Sequence, residues 1–284
     1  MTAAPAPRTH LLDGPDGPLE VLQTGSGEPT TVFGHGLAGT IDTTRPFATG
    51  VRGSKVFLHF RGHGRSVAPV PVAHTSTPAD GAPAAHATGW GYGSLAADLR
   101  RVADATGATR ALGVSMGAGA LTRILSEEPD RFERVVLVIP AVIDAVREDR
   151  ALDRMAAMAQ LVESGDVEAL AASLLAEQPP QVQGDRHVQV WCAQQARQLV
   201  GTPVGTALRA LPHEYPIEDR SVLAAVEAPV LLIGQVEDDA HPAHVAAELG
   251  EALGNATVEI LPPGGLMWSH RTRVRSLVAD FLNA

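Results

Sequence analysis

The pentapeptide G-V-S-M-G at residues 113–117 constrains the fold of this chain more than any other short segment. An apolar run typical of a strand, 109–114, leads into Ser115, and a run of small residues typical of a helix, 116–127, follows it. Glycines on both sides of a serine allow a turn sharp enough to expose the hydroxyl group, and the following helix directs its N-terminus at the same point. The segment therefore predicts a strand–turn–helix unit that presents a reactive serine.

Strand and helix patterns alternate along most of the chain. Strands are predicted at 19–23, 30–33, 55–60, 134–140, 228–234 and 256–261, and further helices at 94–106, 242–253 and 272–282. This alternation favours right-handed crossovers and a mostly parallel sheet with helices on its faces. The predicted fold class is therefore α/β.

Two segments interrupt the alternation and suggest how the chain is divided. Residues 67–93 are rich in Pro, Ala, Gly, Thr and His without periodicity, which predicts an irregular insertion loop. Residues 146–220 have mainly helical patterns and are predicted to form an inserted helical cap. The core then comprises 19–145 and 221–284, and the Pro-, Ala- and Gly-rich residues 1–18 are predicted to be a flexible N-terminal segment.

The composition excludes several classes of function. An apolar content of 45% and a charged content of 19% over 284 residues are typical of a soluble globular protein. The net charge of −10 disfavours a nucleic-acid or anionic-membrane partner. Cys192 is the single cysteine, so the chain cannot form an internal disulfide, and we expect neither a signal peptide nor a membrane-spanning helix. We expect a cytoplasmic protein that acts on a small molecule.

Two further segments belong beside the serine. A glycine-rich turn follows the strand at 30–33, and the backbone amide of Leu37 in this turn can pair with that of Met116 to form an oxyanion hole. Asp238 follows the strand at 228–234, at the sheet edge where open parallel sheets bind ligands. The adjacent Asp239 is an alternative acid.

Together these motifs resemble those of the α/β-hydrolase fold, over residues 19 to 282. The resemblance rests on the H-G turn at 35–36, the segment F-R-G-H-G-R-S at 60–66, the pentapeptide at 113–117, and an aspartate four residues before Pro242. It implies a mostly parallel central sheet flanked by helices, with an inserted helical cap. Members of this superfamily are mostly esterases, lactonases, thioesterases and amidases.

The resemblance also implies roles for individual residues. Ser115 is then the nucleophile, Asp238 the acid, and Leu37 and Met116 the oxyanion-hole donors. Members of the superfamily need no cofactor and no metal. In agreement, no His, Cys or carboxylate residues have the spacing of metal ligands.

The third member of the triad departs from the pattern. In the superfamily the catalytic histidine follows the last strand in a Gly-His turn, whereas Leu266 occupies that slot here. His270, four residues later, is the predicted base, which gives an atypical triad. His35 and His241 remain open as alternatives, because both lie on loops at the catalytic edge of the sheet.

These observations predict an enzyme that hydrolyses a small apolar ester, thioester or lactone through Ser115. Because a serine hydroxyl is a poor nucleophile without a base, the leucine at 266 keeps two alternatives open. One is a non-hydrolytic enzyme on the same fold, such as an epimerase, isomerase, lyase or cyclase of a biosynthetic pathway. The other is a pseudo-hydrolase that binds a ligand without converting it.

Overall fold

A single mixed sheet forms the centre of the molecule. The computed structural model describes residues 8–69 and 89–284, and within these ranges the sheet has eight strands. They are β1 (His10–Leu12), β2 (Leu19–Thr24), β3 (Thr30–Gly34), β4 (Ser54–Leu58), β5 (Arg110–Val114), β6 (Arg134–Val138), β7 (Val230–Gln235) and β8 (Ala256–Leu261). Their order across the sheet is β1-β2-β4-β3-β5-β6-β7-β8, antiparallel at β1–β2 and β2–β4 and parallel elsewhere. The predicted α/β class with a mostly parallel sheet is confirmed.

Helices cover both faces of this sheet. They are α1 (Ile41–Thr44), α2 (Tyr92–Thr106), α3 (Met116–Glu127), α4 (Ala151–Ser164), α5 (Val167–Ala176), α6 (Arg186–Leu199), α7 (Val204–Ala210), α8 (Ala243–Ala252) and α9 (Arg271–Asn283). Val135 and Leu137 of β6 pack in the core that contains α2, α3 and α8, whereas Val136 and Val138 pack in the core that contains α9. A strand buried on both faces explains why β6 is a continuous apolar run.

Four helices lie between β6 and β7 and form a unit that we call the helical insertion (residues 151–213). Helix α5 packs against α6, and α4 packs against α7. Their apolar side chains make a core separate from the two sheet cores, with Ala159, Leu170 and Ala196 fully buried in it. This unit falls within the segment 146–220 that the sequence predicts to be a cap.

The structure differs from the sequence prediction near the N-terminus and at the start of α2. Strand β1 forms inside the segment 1–18, which was predicted to be flexible, because its backbone pairs with β2 at the sheet edge. Helix α2 begins at Tyr92 and not at Ser94, with Gly91 in the N-cap position. Most of the predicted insertion loop, residues 70–88, lies outside the described residues.

No helix in the described part of the chain has the length and apolar character needed to span a bilayer.

Candidate active site

Ser115 lies at a tight turn between β5 and α3. Its backbone has a positive φ of 50° with ψ at −107°, a conformation that is strained for a residue with a side chain. A Cβ atom on Gly113 would lie 2.3 Å from the carbonyl oxygen of Gly117, and a Cβ on Gly117 would lie 2.6 Å from that of Gly34. Only glycine fits at either position, so the two glycines of the pentapeptide allow the sharp turn that presents the serine.

A histidine contacts the serine hydroxyl. Nε2 of His241 lies 2.9 Å from Oγ of Ser115, and Nδ1 of the same ring lies 3.1 Å from each carboxylate oxygen of Asp238. With Nδ1–H donating to the carboxylate, Nε2 is left as the acceptor that can take the serine proton. The three side chains therefore form a continuous serine–histidine–aspartate hydrogen-bond chain.

The loop after β7 holds both the aspartate and the histidine. Oδ1 of Asp238 accepts hydrogen bonds from the backbone amides of Ala240 at 3.1 Å and His241 at 3.0 Å, which curl the loop back on itself. Burial raises the pKa of this carboxyl group, but the hydrogen bonds from the imidazole and the two amides outweigh it and hold the pKa below its usual value. Asp238 is therefore ionised. Asp239, the alternative acid, lines an open cleft beside this loop, and the contacts with the imidazole come from Asp238.

The structure does not bring His270, the predicted base, to the serine. Nε2 of His270 lies 3.1 Å from the carbonyl oxygen of Pro263, and no hydrogen bond joins His270 to Ser115 among the described residues. The segment Gly265–Ser269 forms a π-helical turn that leads into α9, with Leu266 only 8% exposed in the core beneath it. The structure therefore places His241, and not the predicted His270, in contact with the serine hydroxyl.

The usual order of the fold favoured His270 over His241. That order places the histidine after the last strand, whereas here Asp238 and the histidine that contacts Ser115 lie on the same loop after β7. A signal was present in the sequence: His241 follows Asp238 by three residues and directly precedes Pro242, the N-cap residue of α8. An aspartate that caps a short turn before a helix brings a side chain three residues later back toward its own carboxylate.

His35, the other alternative base, is held in a structural role. Its Nδ1 lies 2.7 Å from the carbonyl oxygen of Gly36, and its Nε2 lies 3.1 Å from the backbone nitrogen of Phe60, which donates to it. The ring is fully buried, and this burial lowers its pKa well below the usual value. Both ring nitrogens of this neutral imidazole are thus engaged with backbone groups.

The turn after β3 positions the amide of Leu37. The carbonyl oxygen of Gly36 accepts hydrogen bonds from His35 and from the amide of Gly39 at 2.9 Å. The N–H group of Leu37 belongs to the same peptide bond as this carbonyl, and in a trans peptide the two groups point in opposite directions. The amide of Leu37 therefore points away from the groups that donate to the oxygen of Gly36. Gly36 lies against the serine, since a Cβ built on it would be 3.4 Å from Cβ of Ser115.

Met116 supplies the second candidate amide. It is the first residue of α3, so its amide has no acceptor within the helix. The amide of Ser115 is engaged with the carbonyl oxygen of Val138 at 2.9 Å. In the described part of the chain neither Leu37 nor Met116 donates a backbone hydrogen bond, so both amides remain available to an oxyanion.

A small cavity adjoins the serine. It has a volume of about 30 Å³, and its lining includes Ser115 together with Leu37 and Met116. Apolar side chains from the helical insertion, among them Met155 and Leu211, form part of the opposite wall. The residues of the described ranges contain no group of three or more His, Cys, Asp or Glu side chains arranged to hold a metal ion.

Solved structures resemble this chain over almost its whole length. An esterase from Exiguobacterium antarcticum superposes with a TM-score of 0.74 at 18% identity, covering 96% of this chain and 99% of its own. An alpha/beta hydrolase enzyme from a Medee basin deep-sea metagenome library gives 0.75 at 15% identity, covering 97% and 98%. The enol-lactonase from Burkholderia xenovorans gives 0.70 at 21% identity, covering 94% and 97%. No protein-family model matches the chain. No curated protein matches its sequence.

Proposed function

Because this chain has the α/β-hydrolase fold, we propose that it is a serine hydrolase that cleaves a small, mostly apolar ester, thioester or lactone. The observation that carries the proposal is the 2.9 Å contact between Ser115 Oγ and His241 Nε2, with Asp238 on the other ring nitrogen. This is the hydrogen-bond chain that a serine needs to act as a nucleophile.

Each group then has a defined role in the reaction. His241 takes the proton of Ser115 as the hydroxyl oxygen attacks the carbonyl carbon of the substrate, and the ionised Asp238 stabilises the imidazolium that forms. The negative charge on the tetrahedral intermediate is placed on the former carbonyl oxygen, which accepts hydrogen bonds from the amides of Leu37 and Met116. When the intermediate collapses, the imidazolium gives its proton to the leaving alcohol or thiol. A water molecule activated by the same imidazole then releases the acid and restores the serine.

The cavity supports a small substrate. Its volume of about 30 Å³ is small, so a short group fits beside the serine more readily than a long one. The lining is mostly apolar, which suits an acyl chain of a few carbons. The names of the similar structures, an esterase and an enol-lactonase among them, agree with this class of substrate.

The contact between His241 and Ser115 favours hydrolysis over the two alternatives. Both the non-hydrolytic enzyme and the ligand-binding pseudo-hydrolase were considered because Leu266 stands where a catalytic histidine is expected. An imidazole that reaches the serine from another loop removes the reason for preferring either of them.

Labelling with a fluorophosphonate probe tests the proposal. This reagent reacts with an activated serine, so we expect the purified protein to be labelled at Ser115 and to hydrolyse short p-nitrophenyl esters. Ser115→Ala is expected to abolish both signals, whereas Ser126→Ala, on the same helix, is the matched control and is expected to retain them. A folded wild-type protein that is neither labelled nor active on these esters contradicts the proposal.

A further inference from the structure

A tyrosine lines the cavity beside Ser115. Tyr92 is only 5% exposed, it lines this cavity, and its ring packs against Gly119 of α3. Burial and the nearby charges of Arg147 and Glu214, and no hydrogen bond from a described residue, are what act on its hydroxyl group. Burial raises the pKa of Tyr92, so the group stays protonated and can donate a hydrogen bond at any physiological pH.

Arg147 and Glu214 line the same cavity, close enough to Tyr92 to influence the pKa of its hydroxyl group. Arg147 has a side chain only 5% exposed, and Nε and Nη2 of its guanidinium donate to the carboxylate of Asp149 at 2.8–3.2 Å. Nη2 also donates to the carbonyl oxygen of Ala240 at 3.0 Å, while Nη1 makes no hydrogen bond within the described ranges. Glu214, which is also buried, lines the same cavity. Polar and charged side chains are thus placed together in an otherwise apolar pocket.

The position of the base indicates which part of a substrate enters this cavity. The leaving group must reach Nε2 of His241, because it takes its proton from there. The cavity is lined by Ser115 and by the two candidate oxyanion-hole residues, and His241 is not part of its lining. The leaving group therefore lies on the side of the histidine, and the acyl group occupies the cavity.

We infer that the protein selects short acyl groups that carry an uncharged oxygen substituent, a hydroxyl group above all, and that Tyr92 donates the hydrogen bond that recognises it. This inference rests on the proposed hydrolase function. A hydroxyl group accepts a hydrogen bond from Tyr92 or Arg147 and brings no charge into a mostly apolar pocket. A carboxylate suits the pocket less well, because the charge of Arg147 is already neutralised by Asp149.

Steady-state kinetics with matched p-nitrophenyl esters test the inference. The acyl groups are butyrate, 2-hydroxybutyrate, 3-hydroxybutyrate and hemisuccinate, and each rate is corrected for the rate of the Ser115→Ala variant. We expect kcat/KM for at least one hydroxybutyrate to exceed that for butyrate by about tenfold, and hemisuccinate to be the poorest substrate. Tyr92→Phe keeps the ring that packs on Gly119 and removes only the hydroxyl group. It is expected to lower the ratio of kcat/KM for that hydroxybutyrate to kcat/KM for butyrate to about one.

A matched control and the butyrate rate separate the possible outcomes. Tyr215→Phe removes an exposed hydroxyl group that donates to Glu218, and it is expected to keep the preference. Equal kcat/KM for butyrate and both hydroxy esters, a preference for hemisuccinate, or a preference that survives in Tyr92→Phe overturns the inference while the hydrolase function stands. A wild-type protein inactive on every ester, with no fluorophosphonate label at Ser115, overturns the proposed function and this inference with it.

Discussion

Acidification is expected to destabilise this protein through a cluster of buried histidines. The ring of His35 lies 4.7 Å from that of His63 and 5.6 Å from that of His59, measured between centroids. Burial lowers the pKa of all three, and lowers that of His63 from 6.5 to about 4. Nε2 of His63 has no hydrogen-bond partner in the described structure, so protonation there brings a buried charge without compensation.

The direction and size of the effect follow from these pKa values. Above about pH 6.5 neither the native nor the unfolded state binds a proton at His63, and the stability is complete. As the pH falls below that point, the unfolded chain takes up a proton that the native state excludes. The free energy of unfolding then falls by about 1.4 kcal/mol per pH unit for this histidine, to a total loss of about 3 kcal/mol near pH 4. His35 and His59 add to the loss in the same direction.

Urea unfolding at several pH values from about 7.5 to 4.5 measures this loss. His63→Asn keeps an amide donor near the carbonyl oxygen of Arg61 but removes the titrating ring. As the pH is lowered, the free energy of unfolding of this variant is expected to fall less steeply than that of the wild type, because unfolding takes up about one proton fewer. His244→Asn, at an exposed position of α8, is the matched control and is expected to have the wild-type slope. Parallel slopes for wild type and His63→Asn, or a wild-type stability that does not change over this range, refute the reasoning.

Three further substitutions have defined outcomes. Asp238→Asn is expected to lower kcat on short esters by about 10⁴-fold without unfolding the protein, because the neutral amide favours the wrong imidazole tautomer, and a loss below about tenfold contradicts this. Gly117→Ala is expected to lower the free energy of unfolding, measured with urea, by about 2 kcal/mol or more, because its Cβ meets the carbonyl oxygen of Gly34 at 2.6 Å. Gly93→Ala in α2 is the control and is expected to be neutral, because a Cβ there meets nothing within 4 Å. Leu266→His is expected to give no gain in ester turnover and to destabilise the protein by about 2 kcal/mol, because the position is buried in a core; a gain in turnover contradicts it.

The fold could be predicted from the sequence because its signals are local. The continuous apolar run of β6, the glycines around Ser115 and the helical periodicity after each strand each require one kind of local structure. Strand β1 was missed because three residues at a sheet edge are stabilised by backbone pairing with β2, which leaves no mark in the composition.

The candidate site was harder to predict because part of it depends on the shape of one loop. Ser115, Leu37 and Met116 lie together in the structure, as their positions after neighbouring parallel strands suggested. The histidine could not be placed in the same way, because its position depends on how Asp238 folds the loop after β7 through two backbone hydrogen bonds. Sequence order pointed to the loop after β8, where a buried leucine stands in place of a catalytic group.

Comparison of two histidine variants tests the account most directly. We expect His241→Ala to lower both the rate of fluorophosphonate labelling at Ser115 and kcat on short esters by about 10⁴-fold or more, because the serine loses its base. His270→Ala, which loses only the contact with Pro263, is expected to keep labelling and turnover within about threefold of wild type. A folded His241→Ala protein that is labelled and turns over esters at wild-type rates, or a selective loss of both in His270→Ala, contradicts the assignment of His241 as the base.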